Sequence, residues 1–290
     1  MTNFYHINSP ENFGIIFRCD DDFKAGMLLM SLCSTMSPNV KIYAFELMNN
    51  HIHCVVRGEE GGVVCFFKEY KRLLKKYCDG VENMLDWDRF TPHLCIIETL
   101  DNLRNVIAYV HRNGAMAYPK YSPVSYPWGT NTLFFNPDIM YAHKKSTEKI
   151  LWADIRIISH SHKFDKICNV PAFNGIASMV NVCAIEEGES FFRDARQYFF
   201  KISRDVERYR EIAGMIGESV CYTDDELFSI AIRLSAEKYG EAKLSVLAPS
   251  AKMELARRLR YEYNAGFKQL QRILHLGEST LMSMFPSDRT

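Results

Sequence analysis

Two β-rich runs, residues 40–47 and 51–57, meet across Asn49-Asn50. An asparagine pair supports a tight turn, because Asn tolerates left-handed backbone angles, so the two runs predict a hairpin. This hairpin constrains the fold most, because helical patterns flank it on both sides. Phe23, Met27, Leu28 and Leu32 have helical spacing within 21–36. After Gly61-Gly62 a second helix is expected over 64–78. Residues 13–18 and 92–99 read as strands, and 102–113 as a helix opened by Asp101. The order β-α-β-β-α-β-α predicts an α+β fold, with an antiparallel sheet and helices packed on one face.

The hairpin also carries chemistry. On a strand, side chains at i and i+2 share a face, so His51 and His53 stand side by side while Ile52, Cys54 and Val56 point the other way. On a helix, i and i+4 are neighbours, so Tyr109 and Asn113 project together. Two imidazoles and an amide oxygen can hold a divalent ion. A mixed nitrogen and oxygen set with open positions suits Mg²⁺ or Mn²⁺. A tyrosine beside that ion can attack a phosphodiester, and the covalent link conserves the energy needed for religation.

Composition sets bounds on that reading. The chain has 290 residues, 47% of them apolar, which suits a globular protein with a sizeable core. Thirty-five basic residues balance 35 acidic ones, so local clusters must supply any phosphate contacts. Nine cysteines occur without a CxxC pair, which argues against a zinc ribbon and for reduced thiols. The N-terminus lacks a basic-then-apolar leader, and no run of 18 apolar residues exists. A cytoplasmic chain with no membrane partner is expected.

Residues 118–145 hold Pro119, Pro123, Pro127, Pro137 and many aromatics, and should wrap over the first domain as a loop. These aromatics either stack on unpaired bases or fill the core beneath the loop. The domain boundary is placed near 145. From about 150 the pattern is helical, over 190–211, 224–238, 250–263 and 267–274, with Thr223 and Glu226 as a capping box. A helical accessory region is expected over 146–240 and a DNA-binding module over 241–290.

The stripe Lys68, Lys71, Arg72 and Lys75 is either a phosphate-binding helix face or a solvated one. The segment from Leu270 to Leu281 has the form of a helix-turn-helix core, with His275 where Gly is usual. Six cations, among them Arg257, Arg258, Lys268 and Arg272, stand against two acids over 252–275. This is either a DNA-binding module or a plain helical hairpin. His160-Ser161-His162, a second HxH, reads as a surface loop.

Met48-Asn-Asn-His-Ile-His53 resembles the "MPNHVH" motif of the single-tyrosine HUH transposases. Ala108-Tyr-Val-His-Arg-Asn113 resembles the "YIHxNP" motif of their REP-associated branch, and Tyr126-Pro-Trp-Gly129 its "YxWSS" element. The likeness spans about residues 5–135. It implies a ferredoxin-like sheet and metal-dependent cleavage of single-stranded or hairpin DNA, giving a 5′-phosphotyrosine and a free 3′-OH. It implies His51 and His53 as metal ligands, Tyr109 as nucleophile, and Asn113 in the place of a third, helix-borne ligand. It implies a bacterial host, with the tyrosine serving its own subunit or, in a homodimer, its partner. Asn113-Gly114 replaces Asn-Pro, and Asn49 replaces Pro. The rival readings are a DNA-binding regulator that keeps the fold and a metal-dependent nuclease that uses water.

Overall fold

The computed structural model describes residues 1–10, 13–118, 120–203, 222 and 224–285. The chain divides into two compact units, Met1–Arg204 and Asp205–Thr290.

The first unit is built on a four-stranded antiparallel sheet in the order β2-β3-β1-β4. Its strands are β1 (Asn3–Asn8), β2 (Lys41–Leu47), β3 (Ile52–Gly58) and β4 (His93–Ile97). They are joined by α1 (Asp20–Met36) and α2 (Glu60–Gly80), and α3 (Leu100–Ala117) follows β4. The β2–β3 hairpin is as expected, with Leu47 paired to Ile52 and Glu46 to His53. Neither Asn49 nor Asn50 adopts a positive φ.

Several expectations are corrected. The first strand is Asn3–Asn8, not 13–18. Its alternation is weak, because His6 and Asn8 occupy buried positions that a sequence pattern assigns to apolar residues. Gly61-Gly62 lies in the first turn of α2 and does not break it. Thr99, not Asp101, caps α3, its hydroxyl accepting from the Asn102 N–H at 3.1 Å.

The helices cover both faces of the sheet rather than one. Strand alternation puts Leu47, Ile52, Cys54 and Val56 on one face, where Gly26 of α1 sits directly beneath the Leu47 side chain. The Tyr70 hydroxyl of α2 donates to the Gly26 carbonyl at 3.2 Å, joining the two helices on that side. Glu46, His53 and Val55 face the other way, and there α3 packs across β2, β3 and β4. A sheet covered on both sides is buried on both, and every residue from Ile52 to Val56 is fully buried.

Residues 146–203 belong to the first unit, not to a separate accessory region. After α4 (Pro137–Lys145) they form α5 (Trp152–Ser159), α6 (Ile185–Ser190) and α7 (Ala195–Ser203). They also form a small sheet of β5 (Lys149–Leu151), β6 (Asn169–Phe173) and β7 (Ile176–Ala177), so this stretch is not purely helical. Tyr198 and Lys201 of α7 bond to His111 and Asn105 of α3, and Glu187 bonds to Lys41 and Tyr43 of β2. The expected helix over 190–211 is interrupted after Ser190, and its part beyond 203 lies outside the described residues, as does Thr223.

The described part of the second unit is helical: α8 (Asp224–Tyr239), α9 (Pro249–Glu262), α10 (Phe267–Leu274) and α11 (Glu278–Met284). Leu227, Leu234, Leu255, Leu259, Leu270 and Leu281 form its core. His275 takes the left-handed conformation (φ 52°) between α10 and α11. Gly277 occupies the N-cap position of α11. Among the described residues, no helix is long and apolar enough to cross a membrane.

Candidate active site

His51 ends the hairpin turn and His53 is the second residue of β3. Their rings meet nearly at right angles with centroids 4.7 Å apart. The His51 Nδ1 pairs with the Asn50 side-chain oxygen at 2.7 Å. Across the sheet face, α3 brings the Tyr109 ring edge-on to His53 with centroids 5.7 Å apart. Two motifs separated by more than fifty residues thus converge within one chain. Asn113 lies one turn after Tyr109, and the next N–H, that of Gly114, donates to the Glu46 Oε2 at 2.7 Å. Glu46 is the cross-strand partner of His53, so this turn of α3 stands over the Glu46–His53 pair.

The sequence motifs missed three side chains here. His6 of β1 stacks on His53 at 5.4 Å and lies 6.4 Å from Tyr109. Its Nε2 is 3.3 Å from the His53 Nδ1, so one ring donates to the other and the tautomers are mutually fixed. Asn8 is paired with His53 in the β1–β3 register. Glu46 is fully buried within an apolar run. A polar residue in a strand predicted to be buried is the one signal that could have found Glu46.

Burial sets the charge of this cluster. It lowers His53 to about 3, and it holds His6 and His51 well below the usual imidazole range, with the neighbouring His53 adding to the effect. All three are therefore neutral near pH 7, the form that binds metals. Burial pushes the Glu46 carboxyl well above the usual carboxylate range, against the Gly114 N–H bond.

Among the described residues, no group of three or more His, Cys, Asp or Glu is arranged to hold a metal ion. The donors that the strand pairing sets side by side are the imidazoles of His51 and His53 and the carboxyl of Glu46, with Asn113 on the facing turn of α3. The Glu46 Oε1 is buried without a hydrogen-bond partner, a cost that a bound cation would relieve. Nitrogen and oxygen donors together are a set that a divalent ion accepts.

A shell of hydrogen bonds fixes α3. His111 points away from Tyr109, and its nitrogens bond to the Tyr198 hydroxyl (2.9 Å) and the Thr130 hydroxyl (2.8 Å). Thr130 and Trp128 in turn pair with Phe45 and Leu47 along the outer edge of β2. The segment after α3 thereby covers the sheet edge, with Trp128 buried against Phe23.

The basic residues lie elsewhere. α2 covers the sheet face opposite the histidines. Along it Arg72 forks onto Glu69 (2.8 and 2.7 Å), Lys75 pairs with Asp79 (3.2 Å) and Lys71 donates to the Phe90 carbonyl (2.8 Å), while Lys68 is exposed. In the second unit Arg258 pairs with Glu262 and Arg272 with Asp224, while Arg257 and Lys268 are exposed. His160 and His162 sit on an exposed loop, where His162 pairs with Asp165 at 3.0 Å.

No protein-family model and no curated protein matches the chain. Among solved structures it is similar to a REP-associated tyrosine transposase bound to a REP hairpin, at 19% identity and a TM-score of 0.36. That match covers 48% of this chain and 78% of the other. The likeness is distant, and the reading of the site rests on its own geometry.

Proposed function

We propose that this chain cuts and rejoins single-stranded or hairpin DNA through a 5′-phosphotyrosine at Tyr109, with a transposase-like, HUH-class site on a ferredoxin-like domain. One observation carries the reading: the Tyr109 ring packs against the His51–His53 cluster of its own chain, 5.7 Å from His53.

The Tyr109 oxygen attacks phosphorus. The new O–P bond forms as the P–O3′ bond breaks, the phenolic proton is lost, and one proton ends on the departing 3′-OH. A later attack by a 3′-OH reverses the step, so joining needs no ATP. His51, His53 and Asn113 would hold a divalent ion, Mg²⁺ or Mn²⁺, whose role is to neutralise and orient the phosphate. Neutral imidazoles keep their lone pairs for that purpose. Glu46 offers a further oxygen. His6 holds the His53 ring in place, and the His111–Thr130–Tyr198 network holds the helix that carries the nucleophile. Phosphate contacts away from the cleaved bond are assigned to the exposed Lys68 on α2, and to the exposed Arg257 and Lys268 of the helix-turn-helix-like second unit, the paired cations beside them becoming available only by breaking their ion pairs.

The test is incubation with a library of hairpin-bearing single strands and Mn²⁺, followed by a denaturing gel and mass spectrometry. The expected product is a protein–DNA adduct on the Tyr109 peptide, absent from Tyr109→Phe. Cleavage that persists in Tyr109→Phe without an adduct would identify a water-using nuclease. Binding without cleavage would identify a regulator.

A further inference from the structure

Beside the histidine turn lies a cavity of about 350 Å³ whose walls are largely aromatic. One wall is a continuous stack in which Phe17 lies 5.0 Å from Phe23 at 22°, and Phe23 lies 5.0 Å from Trp128 at 11°. The other is Tyr118 stacked on Tyr126 at 5.6 Å and 13°, with Tyr121 edge-on to Tyr126 at 5.4 Å. Arg18, Asp20 and Lys120 also line the cavity, all three exposed; Arg18 pairs with Asp22 at 3.2 Å, while the Lys120 ammonium lies 4.7 Å over the Tyr121 ring.

Both walls are tied to the β2–β3 hairpin. The Asn49 carbonyl accepts from the N–H groups of Ile16 and Phe17 at 2.7 and 2.9 Å. The Tyr126 hydroxyl donates to the Leu47 carbonyl at 2.7 Å. Asn49 stands two residues before His51, so an occupant of the cavity is fixed relative to the imidazoles.

The geometry points to a subsite for one unpaired nucleotide, its base against Tyr118 and Tyr121, the half-buried rings of the cavity, and its phosphate at Lys120. The inference rests on the DNA-cutting role proposed above and names the strand feature it would position. The size falls at the lower end of small-ligand pockets. Aromatic faces accept any base, whereas a paired base has no exposed face to offer. Flat rings with the Lys120 ammonium at the rim suit a nucleotide better than a lipid chain or a peptide.

The test uses the full chain and an 11-nucleotide oligothymidylate with a central 2-aminopurine, single-stranded or annealed to its complement. Bound single strand should show quenched 2-aminopurine fluorescence, and the duplex should not. Tyr121→Ala should remove the quenching and weaken single-strand affinity roughly tenfold. Lys120→Ala, an exposed change that leaves folding intact, should weaken binding and reduce the slope of log affinity against log salt by about 0.7. Equal quenching in strand and duplex, or unchanged affinity and slope in Lys120→Ala together with unchanged quenching in a folded Tyr121→Ala, would overturn the subsite. Tyr109→Phe separates the two claims. If it retains quenching and wild type forms no adduct, the subsite stands and the cutting role falls. If wild type forms the adduct without quenching, the reverse holds.

Discussion

The two faces of β3 are buried to the same degree and for different ends. Ile52, Cys54 and Val56 meet α1 and α2 through apolar contacts that stabilise the fold by area alone. Within the same seven residues, His53 turns to α3 and meets His6, Glu46 and Tyr109. Burying that set costs free energy: its carboxyl is pushed toward the protonated form and its imidazoles toward the neutral one. The first face is the foundation. The second holds costly groups in fixed geometry, which is what a preorganised site requires.

The contrast can be broken from either side. On the apolar face, Phe45→Ala should lower stability by about 3–5 kcal/mol in urea titration, the usual cost of emptying a core phenylalanine. On the polar face, a bound cation should do what packing does opposite. Saturating Mn²⁺, at about a hundredfold its dissociation constant, should stabilise the chain by about 2.7 kcal/mol. His51→Ala should abolish that gain while leaving the metal-free melting temperature nearly unchanged, as read by calorimetry. An equal gain in His51→Ala would place the ion elsewhere.

Packing over the site comes next in size. A Cβ on Gly114 would lie 2.2 Å from the Tyr126 ring. Gly114→Ala should therefore cost about 1–3 kcal/mol and strain the bond to Glu46, visible as reduced urea stability. The glycine that departs from the Asn-Pro pattern is what lets α3 approach Tyr126.

The smallest effect lies on the outer side of α2. The bonds from Arg72, and then from Lys163, hold the Glu69 carboxyl down at about 2. A carboxyl lowered in the folded state contributes stability above its unfolded value near 4.5 and loses it as pH falls from there toward 2. Glu69→Gln should flatten the stability profile in that window and change nothing at pH 7 to 9 beyond the loss of a surface pair. The neutral histidine cluster should be insensitive to this substitution.

The sequence made the hairpin, the HxH pair and the Tyr109–Asn113 helix legible, because each is a local pattern with a short period. His6 and Glu46 were not legible. His6 reaches His53 only through a strand pairing 47 residues apart, and Glu46 is one acid in an apolar run. The first strand lies at 3–8 rather than 13–18 for the same reason, because two of its buried positions, His6 and Asn8, are polar. The packing of 146–203 on the first unit depends on contacts such as His111–Tyr198 that no spacing encodes. The α2 stripe was legible as a pattern, but its internal pairing with Glu69 and Asp79 emerged only from side-chain geometry.

The central claim is that a single chain brings phenol and imidazoles to the same phosphate. It is tested most directly by mixing two inactive variants, His53→Ala and Tyr109→Phe, with hairpin DNA and Mn²⁺. With all groups required in one chain, the mixture should yield no more covalent adduct than either variant alone. Recovery of an adduct on the His53→Ala chain would show that Tyr109 serves another molecule's histidines and would contradict the arrangement described.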